Sequence, residues 1–300
     1  MKNERAELLF EEIKKGNERM LARAISEVEN NSSLGESLLL LLSFNLNVPI
    51  IGITGPPGAG KSSLINAMIP GLKNHYKKIA ILAVDPSSPF SKGAVLGDRL
   101  RMSGHFNDPS VFIRSLATRG YLGGLSAKTF EICDVLKNAG FDMIIIETVG
   151  VGQSEVEIAS LADISTLVLV PESGDDIQAL KAGIMEIADL FVINKSDRDG
   201  ADLLKANILS RLKENAEVIT KPVLKTTATS SVGVDALINF YVQQSTVIKQ
   251  NKKYSLAERY YKMVMLERMK SLPFDNFRIA FEKESQQETF NPYVFVKQMA

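Results

Sequence analysis

Apolar residues change their period along this chain. Between residues 4 and 46 they recur at helical spacing among charges: Leu8, Leu9 and Ile13, then Leu21, Ala24, Ile25 and Val28. That spacing predicts amphipathic helices. From residue 49 the pattern becomes a series of short apolar runs: PIIGIT (49–54), KIAILAVD (78–85), SVFIRS (110–115), FDMIIIET (141–148), STLVLV (165–170), LFVIN (190–194) and PVLKTTA (222–228). Most are apolar throughout, as strands buried on both faces are. Segments long enough for a helix separate most of them, which predicts an α/β fold. We expect a mainly parallel, roughly seven-stranded sheet with helices on both faces. After about Tyr254 the helical pattern returns (AERYYKMVMLERMK), and SLPFDN marks a turn before a last amphipathic segment. The expected organisation is an N-terminal helical extension over 1–47, an α/β domain over 48–246 and a C-terminal helical extension over 247–300.

In parallel sheets ligands bind beyond the carboxyl ends of the strands. The least regular residues fall there: GPPGAG after the first run, DPSSP after the second, ATRGYLGG after the third, ETVGVGQ after the fourth and NKSD after the sixth. The first of these, Gly55-Pro56-Pro57-Gly58-Ala59-Gly60-Lys61-Ser62 followed by Ser63, satisfies G-x-x-x-x-G-K-[ST] between a strand and a helix. Glycines let backbone N–H groups turn inward around phosphate oxygens, and the next helix presents its positive end to the same anion. Lys61 is then expected at the β- and γ-phosphates and the Ser62 hydroxyl on Mg²⁺. A Gly-rich turn is the plain alternative, but the strand-to-helix setting favours a P-loop NTPase.

Asn194-Lys195-Ser196-Asp197 ends another apolar strand. A carboxylate there accepts from both N1–H and the 2-amino group of guanine, donors adenine lacks, so Asp197 favours GTP over ATP. Lys195 is expected to lie over the base. Thr227 and Ala228, at the end of the seventh run, would supply a backbone donor to the guanine oxygen. Glu147, closing MIIIET, stands where a carboxylate holds Mg²⁺, and Gly150 follows three residues later. Val151 comes next, where many GTPases place a water-orienting glutamine; Gln153 is two residues further on, so we expect slow intrinsic hydrolysis. Asp85 and Asp98 are further carboxylates in strand-end loops. Arg99, Arg101 and Arg119 are candidate arginine fingers among which the sequence does not choose.

Composition narrows the class. The 300 residues are 45% hydrophobic, enough for one large or two modest cores. Lys+Arg and Asp+Glu number 35 each, so no global field draws the chain to nucleic acid or an anionic bilayer. The single cysteine, Cys133, excludes an internal disulfide framework, and His75 and His105 lie too far apart in sequence to suggest a zinc or nickel site. The charged start (MKNERAELLFEEIKKG) is unlike a secretory signal, and the apolar stretch from Ser37 is interrupted by Ser43, Asn45, Asn47 and Pro49. A cytoplasmic protein with no membrane span is expected.

Taken together, GITGPPGAGKSSL, AVDPSSPFSKGAVLGDRLRM, IRSLATRGYLGGLS, IIIETVGVGQSEVEIASLAD and VPESGDDIQALKAGIMEIADLFVINKSD resemble the MeaB/ArgK GTPases, relatives of the human methylmalonic aciduria type A protein. The resemblance runs from about Leu21 to about Phe240. It implies a GTP-dependent chaperone of an adenosylcobalamin-dependent acyl-CoA mutase, typically methylmalonyl-CoA mutase, that gates cofactor loading and protects or reactivates its partner. It implies that Asp98 and Glu147 join Ser62 around Mg²⁺ and that Asp85 acts near the γ-phosphate. It also implies that Gln153, Gln178 and Lys181 couple nucleotide state to the mutase, and that the protein is a homodimer. No cobalamin site of its own is expected, since no axial-histidine pattern is present. A nickel-delivery GTPase and a transport-associated ATPase are the alternatives; the first wants a Cys/His site, and Asp197 speaks against the second.

Overall fold

The computed structural model describes residues 2–43, 47–85, 99–117, 128–148, 158, 161–172, 185, 188–214, 221–248, 279 and 283. The chain divides into two compact units, Met1–Gln250 and Asn251–Ala300. In the second unit the described residues Ile279 and Lys283 are helical.

The first unit is built on one sheet. Strands β1 (Ile50–Thr54), β2 (Ile79–Asp85), β3 (Val111–Ala117), β4 (Met143–Thr148), β5 (Ile164–Leu169), β6 (Leu190–Ile193) and β7 (Val223–Lys225) take the order β3-β2-β4-β1-β5-β6-β7. Every neighbouring pair is parallel. All seven apolar runs are therefore strands of one parallel sheet. The seventh is shorter than its run, because Thr226 and the residues after it turn away to meet Asn194.

Among the described residues, three helices precede β1: α1 (Lys2–Lys14), α2 (Glu18–Glu29) and α3 (Ser33–Leu39). Their starts are local chemistry. Asn17 accepts from the Met20 N–H and Ser32 from the Gly35 N–H, satisfying first-turn donors that have no helical partner. Among the described residues the helices that follow include α4 (Lys61–Leu72), α5 (Thr129–Asn138), α6 (Ala201–Glu214) and α7 (Val234–Ile248). A 3₁₀ turn, Arg99–His105, precedes β3, and another, Ala228–Ser230, follows β7.

The sheet sends its apolar residues alternately to its two faces, and beside the two cores described next Leu167, Leu169, Phe191 and Ile193 form a third with Ala201, Leu204 and Ile208 of α6. Ala80, Leu82, Val84, Ile144 and Ile146 pack with Ile132, Cys133 and Leu136 of α5 and with Leu21, Ile25 and Val28 of α2. Ile51, Ile53, Ile79, Ile81 and Ile145 pack on the other face against α4 and α7. The N-terminal helices thus share a core with the sheet. Arg114 of β3 reinforces the contact by donating to Ser26 Oγ at 2.8 Å.

β1 lies in the middle of the sheet, between β4 and β5. The chain leaves β1 toward β2 on one side and later crosses from β4 to β5 on the other. A crevice at the carboxyl end of β1 follows from that reversal.

Candidate functional site

The loop after β1 is shaped by contacts that exclude a side chain. Gly55 has φ +140°, and a Cβ there would lie 2.1 Å from the Val168 carbonyl oxygen of β5. Gly60 caps α4 at φ +84°, where a Cβ would lie 2.5 Å from Asn194 Nδ2. Only glycine takes both the conformation and the space without strain. Between them the Ala59 N–H closes a turn on the Pro56 carbonyl at 3.2 Å, and Pro57 stands exposed. Ala59 itself is fully buried.

Lys61 and Ser62 open α4, the helix whose positive end faces the loop. The Lys61 ammonium is buried and donates to the Gly55 carbonyl at 2.7 Å and to the Pro56 carbonyl at 3.0 Å. It is held across the mouth of the loop as a fixed point charge. Ser62 Oγ donates to Glu147 Oε1 of β4 at 2.7 Å, and both residues are buried. Ser63 follows half-buried in the first turn. Mg²⁺ takes oxygen ligands, keeps several waters and needs only one or two protein groups beside phosphate oxygens. A buried hydroxyl and a carboxylate in contact fit that donor set.

The turn after β6 is fastened directly to the loop after β1. Asn194, 1% exposed at the end of β6, donates through Nδ2 to the Ala59 carbonyl at 2.9 Å. Its Oδ1 accepts from Thr226 Oγ1 and from the Ala228 N–H, each at 3.2 Å. Lys195, at φ +54°, donates to the Gly58 carbonyl at 2.8 Å. The Ser196 N–H donates to the Thr226 carbonyl at 3.0 Å, and the Ser196 and Thr227 hydroxyls are 3.2 Å apart. Asp197 projects from this turn, exposed.

The sequence model for the family described as methylmalonyl Co-A mutase-associated GTPase MeaB matches residues 21–276. The chain is a MeaB-family GTPase. It is 46% identical over 257 residues to a Pyrococcus horikoshii protein named as a GTPase, covering 84% of this chain and 80% of that one. It is 38% identical over 247 residues to the mouse mitochondrial methylmalonic aciduria type A homolog, covering 75% and 60% respectively. Among solved structures, the LAO/AO transport system kinase superposes with a TM-score of 0.67 over 98% of this chain and 96% of that one. Their 24% identity makes that a likeness of fold.

Within this MeaB-family fold, the phosphate-loop residues, Glu147, Asn194, Lys195, Thr227 and Ala228 converge on the carboxyl end of β1. Asp197 lies on the turn that follows Asn194. Asp85 ends β2 two residues beyond Ala83, the rung partner of Glu147. Asp98, Gly150, Gln153, Gln178, Lys181 and Arg119 lie outside the described residues. The backbones of Arg99 and Arg101 belong to the 3₁₀ turn before β3, docked by fully buried Met102 onto the α4 face. Among the described residues, no group of three or more His, Cys, Asp or Glu could hold a metal ion. No helix among the described residues is long and apolar enough to cross a membrane.

Sequence reasoning missed two features. One is Thr226, whose hydroxyl orients Asn194; only its place beside Thr227 hinted at a role. The other is a hydroxyl pair, Thr148 Oγ1 donating to Thr54 Oγ1 at 2.8 Å, both residues buried. Each threonine directly precedes or follows a residue that sequence reasoning singled out, Gly55 and Glu147, and that adjacency was the available signal.

Proposed function

We propose that this chain uses GTP binding and hydrolysis to gate cofactor loading into an adenosylcobalamin-dependent acyl-CoA mutase, and to protect or reactivate that enzyme. Methylmalonyl-CoA mutase is the favoured partner, because the family description names it. The observation that carries the nucleotide half of the reading is Asn194, whose single amide ties the base loop to the phosphate loop. A site built that way senses base and phosphates as one object.

In this reading Asp197 receives the two guanine donors and Lys195 covers the base, with Thr227 and Ala228 alongside. Lys61 releases its loop carbonyls to meet the β- and γ-phosphates. Ser62 and Glu147, with Asp98, would hold Mg²⁺, which when bound supplies positive charge against the phosphate oxygens. Asp85 and Gly150 act near the γ-phosphate, and Val151 leaves attacking water poorly oriented, so turnover is slow until the partner binds. Gln153, Gln178 and Lys181 carry nucleotide state to the mutase. The chain acts in the cytoplasm as a homodimer, with the C-terminal extension from 247 onward as the pairing arm. It holds no cobalamin itself.

Competition among GDP, GTP, ATP and XTP on wild type and Asp197→Asn tests the reading. Wild type should take GTP over ATP, and the variant should lose GTP affinity by on the order of a hundredfold while gaining XTP. That magnitude follows from about 1.5–3 kcal/mol for a hydrogen bond to a charged group and about 1.4 kcal/mol per tenfold. ATP competing as well as GTP, with no change in the variant, would overturn it. Acceleration of GTP turnover by added methylmalonyl-CoA mutase tests the partner separately.

A further inference from the structure

Two polar bridges join β1 and its loop to β4, at successive rungs and on opposite faces of the sheet. On the α4 face Ser62 reaches Glu147, whose rung partner in β1 is Ile53. One residue further along each strand, on the face shared with α2 and α5, Thr148 donates to Thr54. The threonines are 1% and 2% exposed. The first bridge consists of residues that meet phosphate and metal. The second has no such assignment.

Packing alone does not require the second bridge. Replacing both partners of a buried hydrogen bond with apolar groups of the same shape is close to neutral or stabilising, so a valine pair would fill this rung. What a hydroxyl pair adds is direction. A hydrogen bond weakens steeply as distance and angle depart from their optimum, whereas dispersion between branched side chains is spread over many weak contacts. The bridge therefore restricts how β1 slides against β4 more tightly than methyl groups would. Gly55, the root of the phosphate loop, follows Thr54 directly, and Glu147 directly precedes Thr148. A slide at this rung moves the Glu147 carboxylate relative to Ser62.

We propose that Thr54 and Thr148 are positioning residues for GTP hydrolysis: their hydroxyl bridge locks β4 in register with the phosphate loop and so sets Glu147 against Ser62. The inference rests on the chain being a GTPase and is independent of any mutase partner. Misplacement by a fraction of an ångström degrades a reaction that depends on alignment far more than it degrades ground-state binding.

The test is GTP hydrolysis, GDP affinity and thermal unfolding for the double variant Thr54→Val/Thr148→Val, beside Thr148→Val and Thr148→Ser. The double variant should melt close to wild type and hold GDP within about twofold, while kcat falls roughly ten- to hundredfold with little change in KM for GTP. Thr148→Ser, which retains the hydroxyl, should keep most of the wild-type kcat. Three results overturn the proposal: an unchanged kcat in the double variant; a kcat that falls only in step with stability and GDP affinity, failure to fold included; or a Thr148→Ser variant as slow as Thr148→Val. Wild-type turnover in the same assay checks the GTPase assignment by itself.

Discussion

Asn194 shows how much one amide can decide. Its donor and acceptor sides are both used, on the Ala59 carbonyl and on Thr226 with the Ala228 N–H, and the residue is 1% exposed. Truncating it leaves buried backbone groups without partners, at about 1–3 kcal/mol each. Asn194→Ala should therefore lower unfolding stability by on the order of 3 kcal/mol in urea titration and weaken GDP binding in parallel. Gly60 is the other half of the contact, since any side chain there runs into the Asn194 amide. The G-x-x-x-x-G-K-S and N-K-S-D signals are separated by more than a hundred residues in sequence, yet each needs the other to hold its shape.

Among the elements, the strands are registered by small polar devices at their starting edges. Asp142 accepts from the Lys77 and Lys78 N–H groups, Asp163 from the Ile50 N–H at 2.7 Å and Asp189 from the Ser165 N–H at 2.8 Å. Each aspartate stands immediately before one strand and satisfies a donor within two residues of the start of its neighbour. Asp108 does a related task for the turn leading into β3: it accepts from Lys73 at the end of α4 and from the Ser110 side chain and backbone. Those bonds, Lys73 first, hold its carboxyl well below the usual carboxylate range. A carboxyl depressed in the folded state stabilises the fold above its unfolded pKa, near 3.9, and that contribution fades as pH falls below it. Asp108→Asn should thus be less stable than wild type at pH 7, and the two melting curves should draw together on acidification from about pH 5 toward about pH 2.

At the scale of the molecule, the N-terminal helices bind the first unit together. Ile25 is fully buried among α2, α5 and the sheet, and Arg114 reaches from β3 to Ser26. Asn138 at the end of α5 adds a clasp on the connection to β1, accepting from the Ser43 N–H at 2.9 Å and donating to the Ser43 carbonyl at 3.0 Å. Ile25→Ala should cost about 2–5 kcal/mol, and circular dichroism together with GDP release should report one shared unfolding transition. Independent melting of the helices ahead of the nucleotide site would refute this shared core.

The sequence by itself determined the strands, the P-loop and the acidic turn after the sixth strand, because each is written in neighbouring residues: an apolar run of strand length, a glycine where φ must be positive, a carboxylate on a strand-end turn. Both loops that Asn194 joins are legible in it. The strand order was decided by the tertiary structure, and with it the contact of β4 with β1 that brings Glu147 to Ser62. So were the Asn194 bridge, the Thr54–Thr148 pair and the union of α2 with the sheet. These depend on pairing between segments distant along the chain. Such pairing is settled by which faces can be buried together, and local periodicity carries no record of it.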